Sequence, residues 1–188
     1  MAMTFRHSAI PIAALIALLV APAVWARPDP VWVMVDTRAA TVSVMRGDQS
    51  LFVFEDISIG RGGTSDVHIR GDDTTPLGEF EIVRVNGDSR YRRFYGINYP
   101  TPGHAQMALE RGAIDKATYN EIGNAFRRNV PPPQYTPLGG HLGIHGLGGA
   151  SLEVHQSFNW TNGCIALTNP QIDRLSAWIR VGTRVVVR

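Results

Sequence analysis

Residues 160–167 read Trp-Thr-Asn-Gly-Cys-Ile-Ala-Leu, and Cys164 within them is the one cysteine among 188 residues. A lone thiol cannot form an intrachain disulfide, so either chemistry or packing must account for it. Gly163 lets another backbone segment approach the thiol, so that backbone N–H groups can point at a developing oxyanion. The neighbours Ile165 and Leu167 leave a second interpretation open, in which Cys164 is a small buried hydrophobe.

A histidine precedes this stretch, in Ile144-His145-Gly146. A thiol becomes a strong nucleophile near neutral pH when a base or a positive field favours the thiolate. His145 is the candidate base, and a backbone carbonyl within residues 146–149 is the expected acceptor for its other ring nitrogen. This pair of residues predicts cysteine-dependent catalysis.

The first 26 residues have the layout of a secretory signal peptide. Arg6 begins a short basic segment, an apolar run follows, and Val24 and Ala26 are small residues at a cleavage site. An uncleaved anchor is the alternative, but the run is shorter than the roughly 20 apolar residues that span a bilayer and contains two prolines. We therefore predict a cleaved signal peptide over residues 1–26, a single catalytic domain over residues 27–188 with no transmembrane segment, and a periplasmic location. A free thiol is exposed to oxidation in such a compartment, which favours a reactive role for Cys164.

The charge balance gives no reason to expect a nucleic acid partner. The chain has 18 Lys and Arg against 16 Asp and Glu, and like charges do not form blocks. Proteins that bind nucleic acids concentrate basic residues in a stripe or patch. We therefore predict that the chain does not bind nucleic acid.

The hydrophobic pattern predicts a mainly β fold with few helices. Short alternating runs separated by turn residues indicate strands over residues 31–35, 41–45, 51–54, 80–85, 139–146 and 183–187. A helical insertion is expected over about residues 104–128, with Asp115 as an N-cap, and it ends before three successive prolines. Asn169-Pro170 predicts the start of one late helix. Residues 60–75 are expected to form a long loop.

Three ordered elements resemble the L,D-transpeptidase catalytic domain family of the YkuD type. They are Thr-Pro-Leu-Gly-Glu-Phe at 75–80, Ile-His-Gly at 144–146, and Thr-Asn-Gly-Cys-Ile at 161–165. A glycine-bearing strand end, Ser58-Ile59-Gly60, precedes the first element as it does in that family. The resemblance covers about residues 31–188, and the order and spacing of the three elements make it specific.

The resemblance implies a fold, an activity and roles for particular residues. The implied fold is a β-sandwich of two mixed sheets. Members of the family exchange peptide bonds in bacterial peptidoglycan, and this implies a thioester on Cys164, His145 as general base, and expulsion of the terminal D-alanine of a stem peptide. Backbone amides of Gly163 and Cys164 are the implied oxyanion donors, and Thr161 corresponds to the Ser or Thr beside the active site.

The resemblance also implies partners. They are peptidoglycan stem peptides, an amine acceptor from a neighbouring stem or a wall-anchored lipoprotein, and carbapenem β-lactams as covalent inhibitors. No cofactor is implied, because one amide is exchanged for another. For substrate binding we expect contributions from Gly146, His155, Trp160 and Asn162, although His155 in an exposed loop is an equally good interpretation.

The chain departs from the family pattern at two positions. Asn162 stands where the family commonly has His or Arg, and Ala166 stands where it commonly has Arg, so the site has less positive charge. The Trp-Thr-x-Gly-Cys-Ile-Ala form resembles a subset of the family. Two alternatives to transpeptidation follow, namely a hydrolase of the same family, such as an amidase or carboxypeptidase, and a non-catalytic wall-binding domain.

The other histidines and the aromatic residues have competing interpretations. His141 and His145 would share one face of a strand, and with His155 and Cys164 they could supply four zinc ligands, but their spacing is not that of a standard zinc motif. We therefore predict no metal site. The aromatic residues upstream are candidates either for one wall or lid of the cleft or for the core; they are Tyr91, Phe94, Tyr95 and Tyr99.

Overall fold

The computed structural model describes residues 29–188. The predicted signal peptide over residues 1–26 lies outside the described residues and stays a prediction. Within the described part of the chain, none of the helices combines the length and the apolar character that crossing a bilayer requires.

The chain begins with a meander of three strands, β1 (Val31–Asp36), β2 (Thr41–Arg46) and β3 (Gln49–Phe54). Val33 and Val35 are fully buried, whereas the residues between and beside them are only partly buried. This alternation is typical of a strand with one side facing the core, and it is the pattern from which these strands were predicted. A pair of two-residue strands, β4 (Thr64–Ser65) and β5 (Thr75–Pro76), brackets the loop that follows.

Five further strands complete the fold. They are β6 (Gly78–Ser89), β7 (Arg92–Ile97), β8 (Gly143–His145), β9 (Ile165–Ala166) and β10 (Arg184–Val187). Together with the meander, these strands are hydrogen-bonded to one another in the order β3-β2-β1-β10-β6-β7-β8-β9. The first part of β6 pairs with β10, and the rest pairs with β7. This long strand therefore belongs to two sheets.

Each of the two sheets mixes parallel and antiparallel pairs. In the first sheet β1 runs parallel to β10, with Val33 opposite Val185, and its other pairs are antiparallel. In the second sheet β8 runs parallel to β9, with Ile144 opposite Ile165. The predicted mainly β fold of two mixed sheets is confirmed.

The helices lie outside the sheets and are short. The predicted insertion contains α1 (Pro102–Glu110) and α2 (Lys116–Arg127), and the Asp115 carboxylate caps α2 by accepting from the Thr118 N–H at 2.8 Å. The late helix α4 (Asn169–Leu175) begins after Thr168, whose hydroxyl accepts from the Gln171 N–H. A further helix, α3 (Leu152–Ser157), was not predicted.

The two strands nearest the lone cysteine differ from the sequence prediction. A strand was expected over residues 139–146, but β8 has three residues because His141 has a positive φ of 56° and cannot extend it. The strand β7 was missed because Phe94, Tyr95, Gly96 and Ile97 are all buried, so the chain shows no alternation there.

Candidate active site

His145 ends β8, Cys164 directly precedes the parallel neighbouring strand β9, and the two side chains face the same side of the sheet. The paired residues Ile144 and Ile165 point into the core, where they are at most 1% exposed. His145 and Cys164 are each one residue away from that pair, so their side chains point to the opposite side. Both line a groove of about 650 Å³. The first two residues singled out in the sequence are therefore brought together.

The turn before Cys164 is held by the hydroxyl of Thr161. That hydroxyl accepts from the Gly163 N–H at 3.2 Å and donates to the Cys164 carbonyl oxygen at 2.6 Å. Thr161 is buried, and its own backbone pairs with the segment around Gly60. The resemblance gave the Gly163 amide to the oxyanion, but here that N–H is already donated to Thr161. The Cys164 amide is the remaining candidate of the two.

Gly163 itself has a backbone conformation that other residues rarely adopt. Its φ is +119°, and a Cβ on this residue would lie 2.6 Å from the Thr74 carbonyl oxygen. Thr75, which follows Thr74 in the chain, is fully buried. Its hydroxyl accepts from the Gly60 N–H at 2.8 Å and donates to the Gly163 carbonyl at 3.0 Å. One side chain thus ties together the glycine-bearing strand end and the cysteine turn.

The tautomer of His145 follows from its neighbour. Nδ1 lies 2.7 Å from the Gly146 carbonyl oxygen, and because a carbonyl oxygen only accepts, Nδ1 carries the proton. The Nε2 lone pair is then available to receive a proton. The ring is 2% exposed, and burial lowers the pKa of His145 to about 4, against the opposing effect of the Gly146 carbonyl.

Aromatic rings fix the orientation of His145 from three sides. Its ring stacks on Tyr91 with a centroid separation of 4.3 Å and lies parallel to Phe94 at 6.1 Å. Trp160 meets it edge to face at 5.9 Å. The aromatic residues between 91 and 99 therefore divide, because Tyr91 and Phe94 line the groove while Tyr95 and Tyr99 are buried in the core.

The thiol is half-buried at the floor of the groove. Its sulfur lies 3.7 Å from the His141 carbonyl oxygen, to which the S–H donates. Burial raises the pKa of Cys164 to about 11, and a hydrogen bond from the Gly143 backbone opposes this rise. At neutral pH the resting site therefore holds a protonated thiol beside a neutral imidazole.

Two of the four expected substrate contacts have other positions. Gly146 does not line the groove; it packs against Ile172, whose methyl carbon would lie 2.7 Å from a Cβ at this position. His155 is buried in α3 and lies behind the groove, where its Nδ1 accepts from the Trp160 indole N–H at 3.3 Å. Trp160 and the exposed Asn162 do line the groove.

The zinc interpretation does not fit the positions of its proposed ligands. His141 precedes β8, so it does not share a strand face with His145, and it packs against Tyr135 at 5.0 Å. Over residues 29–188 no group of three or more His, Cys, Asp or Glu side chains is placed to hold a metal ion.

The sequence interpretation considered Tyr91 and Phe94 for one wall of the groove but missed the charged residues of that wall. The end of β6 and the turn into β7 contribute Arg84, Asp88 and Arg90 to it. Their charges form no block in the sequence, and without strand β7 the sequence could not place them in the same groove as Cys164.

Comparisons with known proteins agree with this geometry. The L,D-transpeptidase catalytic domain (YkuD) family model matches residues 30–187. No curated protein matches the chain. Among solved structures, the helical cell shape determining protein Pgp2 from Campylobacter jejuni has a TM-score of 0.55 at 19% identity, over 86% of this chain and 49% of that one.

Two other solved structures have the same fold at lower similarity. Bd1075 from Bdellovibrio bacteriovorus has a TM-score of 0.52 at 17% identity, over 86% of this chain and 48% of that one. A mutant L,D-transpeptidase from Enterococcus faecium has a TM-score of 0.50 at 11% identity, over 86% of this chain and 50% of that one. This chain spans about half the length of these proteins.

Proposed function

Because the chain belongs to the L,D-transpeptidase catalytic domain family, we propose that it is a cysteine-dependent acyltransferase acting on peptidoglycan stem peptides. The observation that carries this proposal is the placement of two side chains in one groove, His145 at the end of β8 and Cys164 directly before the paired strand β9. Nucleophile and base on rigid neighbouring elements are what acyl transfer through a thioester requires. The exchanged residue would be the terminal D-alanine of a tetrapeptide stem.

The reaction would proceed in two acyl transfers. The sulfur of Cys164 attacks the carbonyl of the third stem residue while its proton passes to Nε2 of His145. The Cys164 N–H stabilises the oxyanion, and the tetrahedral intermediate collapses to a thioester as the D-alanine amine leaves with the proton from His145. An acceptor amine, from another stem or a wall-anchored lipoprotein, then attacks the thioester and gives a proton to Nε2 of His145. The new amide forms as the C–S bond breaks, and His145 passes that proton to the departing sulfur.

The pKa values favour proton transfer during attack over a thiolate formed beforehand. The raised pKa of Cys164 and the lowered pKa of His145 both hold the proton on sulfur in the free protein. The sulfur would therefore become nucleophilic as the substrate carbonyl arrives and water leaves the groove.

A hydrolase of the same family is the second candidate. The thioester would lie in an open groove beside the exposed Asn162, so water has access to it. Water in place of the amine would make the chain a carboxypeptidase or an amidase. We also propose, from the predicted signal peptide, that it works in the periplasm.

Product analysis on purified muropeptides tests these proposals. Wild-type protein should release D-alanine and, with an added amine acceptor, form the exchanged product, whereas Cys164→Ala should do neither. Free acid products at a saturating acceptor concentration would favour the hydrolase. Exchange by Cys164→Ala would overturn the mechanism.

A carbapenem provides an independent measurement on the same two proteins. Mass spectrometry should find one adduct on wild-type protein and none on Cys164→Ala. A wild-type protein that neither reacts with a carbapenem nor releases D-alanine would be a non-catalytic wall-binding domain.

A further inference from the structure

Four arginines on the hairpin formed by β6 and β7 divide into two pairs. Arg92 and Arg93 both bind the Asp173 carboxylate, at 2.9 Å and 2.8 Å. Arg84 and Arg90 line the groove, and neither forms an ion pair with a carboxylate of residues 29–188. The hairpin therefore presents two guanidinium groups without an ion-pair partner to the groove that Cys164 also lines.

The same aromatic rings that orient the catalytic imidazole also hold these two cations. The guanidinium carbon of Arg90 lies 4.7 Å from the ring centroid of Tyr91, and its Nη2 donates to the Tyr91 hydroxyl at 2.7 Å. The guanidinium carbon of Arg84 lies 5.3 Å from the ring centroid of Phe94. Because Tyr91 and Phe94 both contact His145, the two charges are placed relative to the catalytic imidazole.

The charge of the hairpin residues that line the groove suits the binding of one small anion. Asp88 is the acidic residue among the described lining residues, so the wall keeps an excess of one positive charge. Ala166, two residues after Cys164, is fully buried and apolar, so this position supplies no cation to the groove. The positive charge of Arg90 also acts on the imidazole, where after burial and the neighbouring His155 it helps to lower the pKa of His145.

We propose that Arg84 and Arg90 form a carboxylate-binding subsite that selects substrates with a free carboxylate next to the bond that Cys164 attacks. This inference rests on the proposed function, since it specifies the substrate of the same groove. Guanidinium groups bind carboxylates through paired, charge-assisted hydrogen bonds, which supply orientation as well as affinity. The hairpin would thus supply the positive charge that Ala166 does not.

A stem peptide offers two carboxylates near the scissile amide. One is the terminal α-carboxylate of the leaving residue, and the other is a side-chain carboxylate on the diamino acid whose carbonyl is attacked. Both have the chemistry that the subsite recognises, and synthetic peptides separate them. One peptide ends in an amide, and another has lysine in place of diaminopimelate.

The first test uses alkylation, which needs no assumption about the natural substrate. Cys164 is the single cysteine, so iodoacetate and iodoacetamide both report on this one sulfur. The rate constant for iodoacetate divided by that for iodoacetamide does not depend on the fraction of thiolate. This ratio therefore measures how strongly the groove attracts an anion. We expect this ratio to fall at least threefold in Arg84→Gln and Arg90→Gln and to stay unchanged in Arg92→Gln, which alters an exposed hairpin arginine paired with Asp173. An equal ratio in all four proteins would overturn the proposal.

The second test uses the peptides and separates this inference from the proposed function. Arg84→Gln and Arg90→Gln should raise KM for the free-acid peptide at least fivefold with a smaller change in kcat. They should not change kinetics on whichever peptide lacks the recognised carboxylate. Equal losses on all peptides would overturn the subsite. If wild-type protein turns over no stem peptide while the alkylation ratio still depends on the arginines, the proposed function fails and the anion subsite stands.

Discussion

Two walls of the groove, the cysteine wall around residues 161–164 and the hairpin wall at residues 84–94, are held in place by different interactions. On the cysteine wall, buried hydroxyls and a glycine of positive φ hold the chain, with Thr75 and Thr161 bonded on both sides. On the hairpin wall, Arg84, Asp88 and Arg90 are exposed, and the guanidinium groups rest on aromatic rings. The first wall has little freedom to change without disturbing the fold, whereas the second can vary in charge at little cost in stability.

This difference separates chemistry from recognition. Changes on the cysteine wall should lower both the free energy of unfolding and turnover, because the same hydrogen bonds serve both. Changes on the hairpin wall should alter which substrate binds and leave stability nearly constant. Each of the following measurements tests whether stability and substrate binding depend on different walls of the groove.

Replacing His145 with Gln should have the largest effect on activity. If His145 is the general base, as proposed, its loss should lower kcat/KM for D-alanine release by about 10²–10⁴-fold. Steady-state kinetics on a stem peptide measure this, and iodoacetamide labelling of Cys164 at pH 9 checks that the groove is still formed. A variant with wild-type turnover would show that another group takes the thiol proton.

Replacing Gly163 with Ala should damage both stability and turnover. The positive φ and the approach to the Thr74 carbonyl oxygen should together lower the free energy of unfolding by about 2–4 kcal/mol. Denaturant unfolding gives the value. Gly149→Ala is the control, since nothing lies within 4 Å of a Cβ there, and equal effects of the two changes would contradict the assignment.

Acid should destabilise the protein through its buried histidines. The pKa of His145 is about 4 when folded and near 6.5 when unfolded, so the unfolded state binds more protons between these values. Stability is therefore complete above pH 6.5 and decreases as pH falls towards 4, by about 3 kcal/mol for a shift of this size. The lowered pKa values of His104 and His155 act in the same direction. Urea unfolding at pH 7 and pH 4.5 should show a smaller loss for His145→Gln than for wild type.

Replacing Thr75 with Val tests the connection between the strand end and the cysteine turn. The Gly60 N–H and the Gly163 carbonyl would lose their buried partner, and the cost should be about 1–3 kcal/mol. Thermal unfolding measures it. Thr75→Ser keeps the hydroxyl and should recover most of the loss, whereas a Thr75→Val variant as stable as wild type would show that the hydroxyl does not hold the two segments together.

The smallest effect is expected on the outer side of the hairpin. Arg92 is more than half exposed and its partner Asp173 is accessible, so Arg92→Gln should change the free energy of unfolding by less than about 1 kcal/mol. Stem-peptide turnover should match wild type. A large loss of stability would mean that the hairpin wall, too, is held by buried interactions.

The sequence predicted those parts of the molecule in which local pattern and tertiary role agree. The alternation in β1 and the capping residue Asp115 could be read because each depends on neighbouring residues alone. Cys164 and His145 could be paired because their motifs have a characteristic order. Their placement on a common face follows from the parallel pairing of β8 with β9, which the sequence does not display.

The differences concern residues whose positions depend on distant partners. Gly146 was expected to contact the substrate, and in the structure it packs against Ile172 in α4. His155 was expected either in the groove or in an exposed loop, and it is buried in α3, where it accepts from the Trp160 indole N–H. The helix α3 was not predicted because its six residues show no apolar face. Its apolar residues Leu152 and Val154 are exposed in the structure. The cations of the hairpin could not be assigned without strand β7.

The position of β10 has a consequence for how this molecule folds. Residues 184–187 lie between β1 and β6, and within the sheet they are the link between the meander and the four strands that carry the groove. Pairing of Val33 with Val185 brings together segments separated by most of the polypeptide, and contacts of such long range form slowly. Assembly of the groove should therefore be a late event, and refolding kinetics should be governed by docking of this final strand.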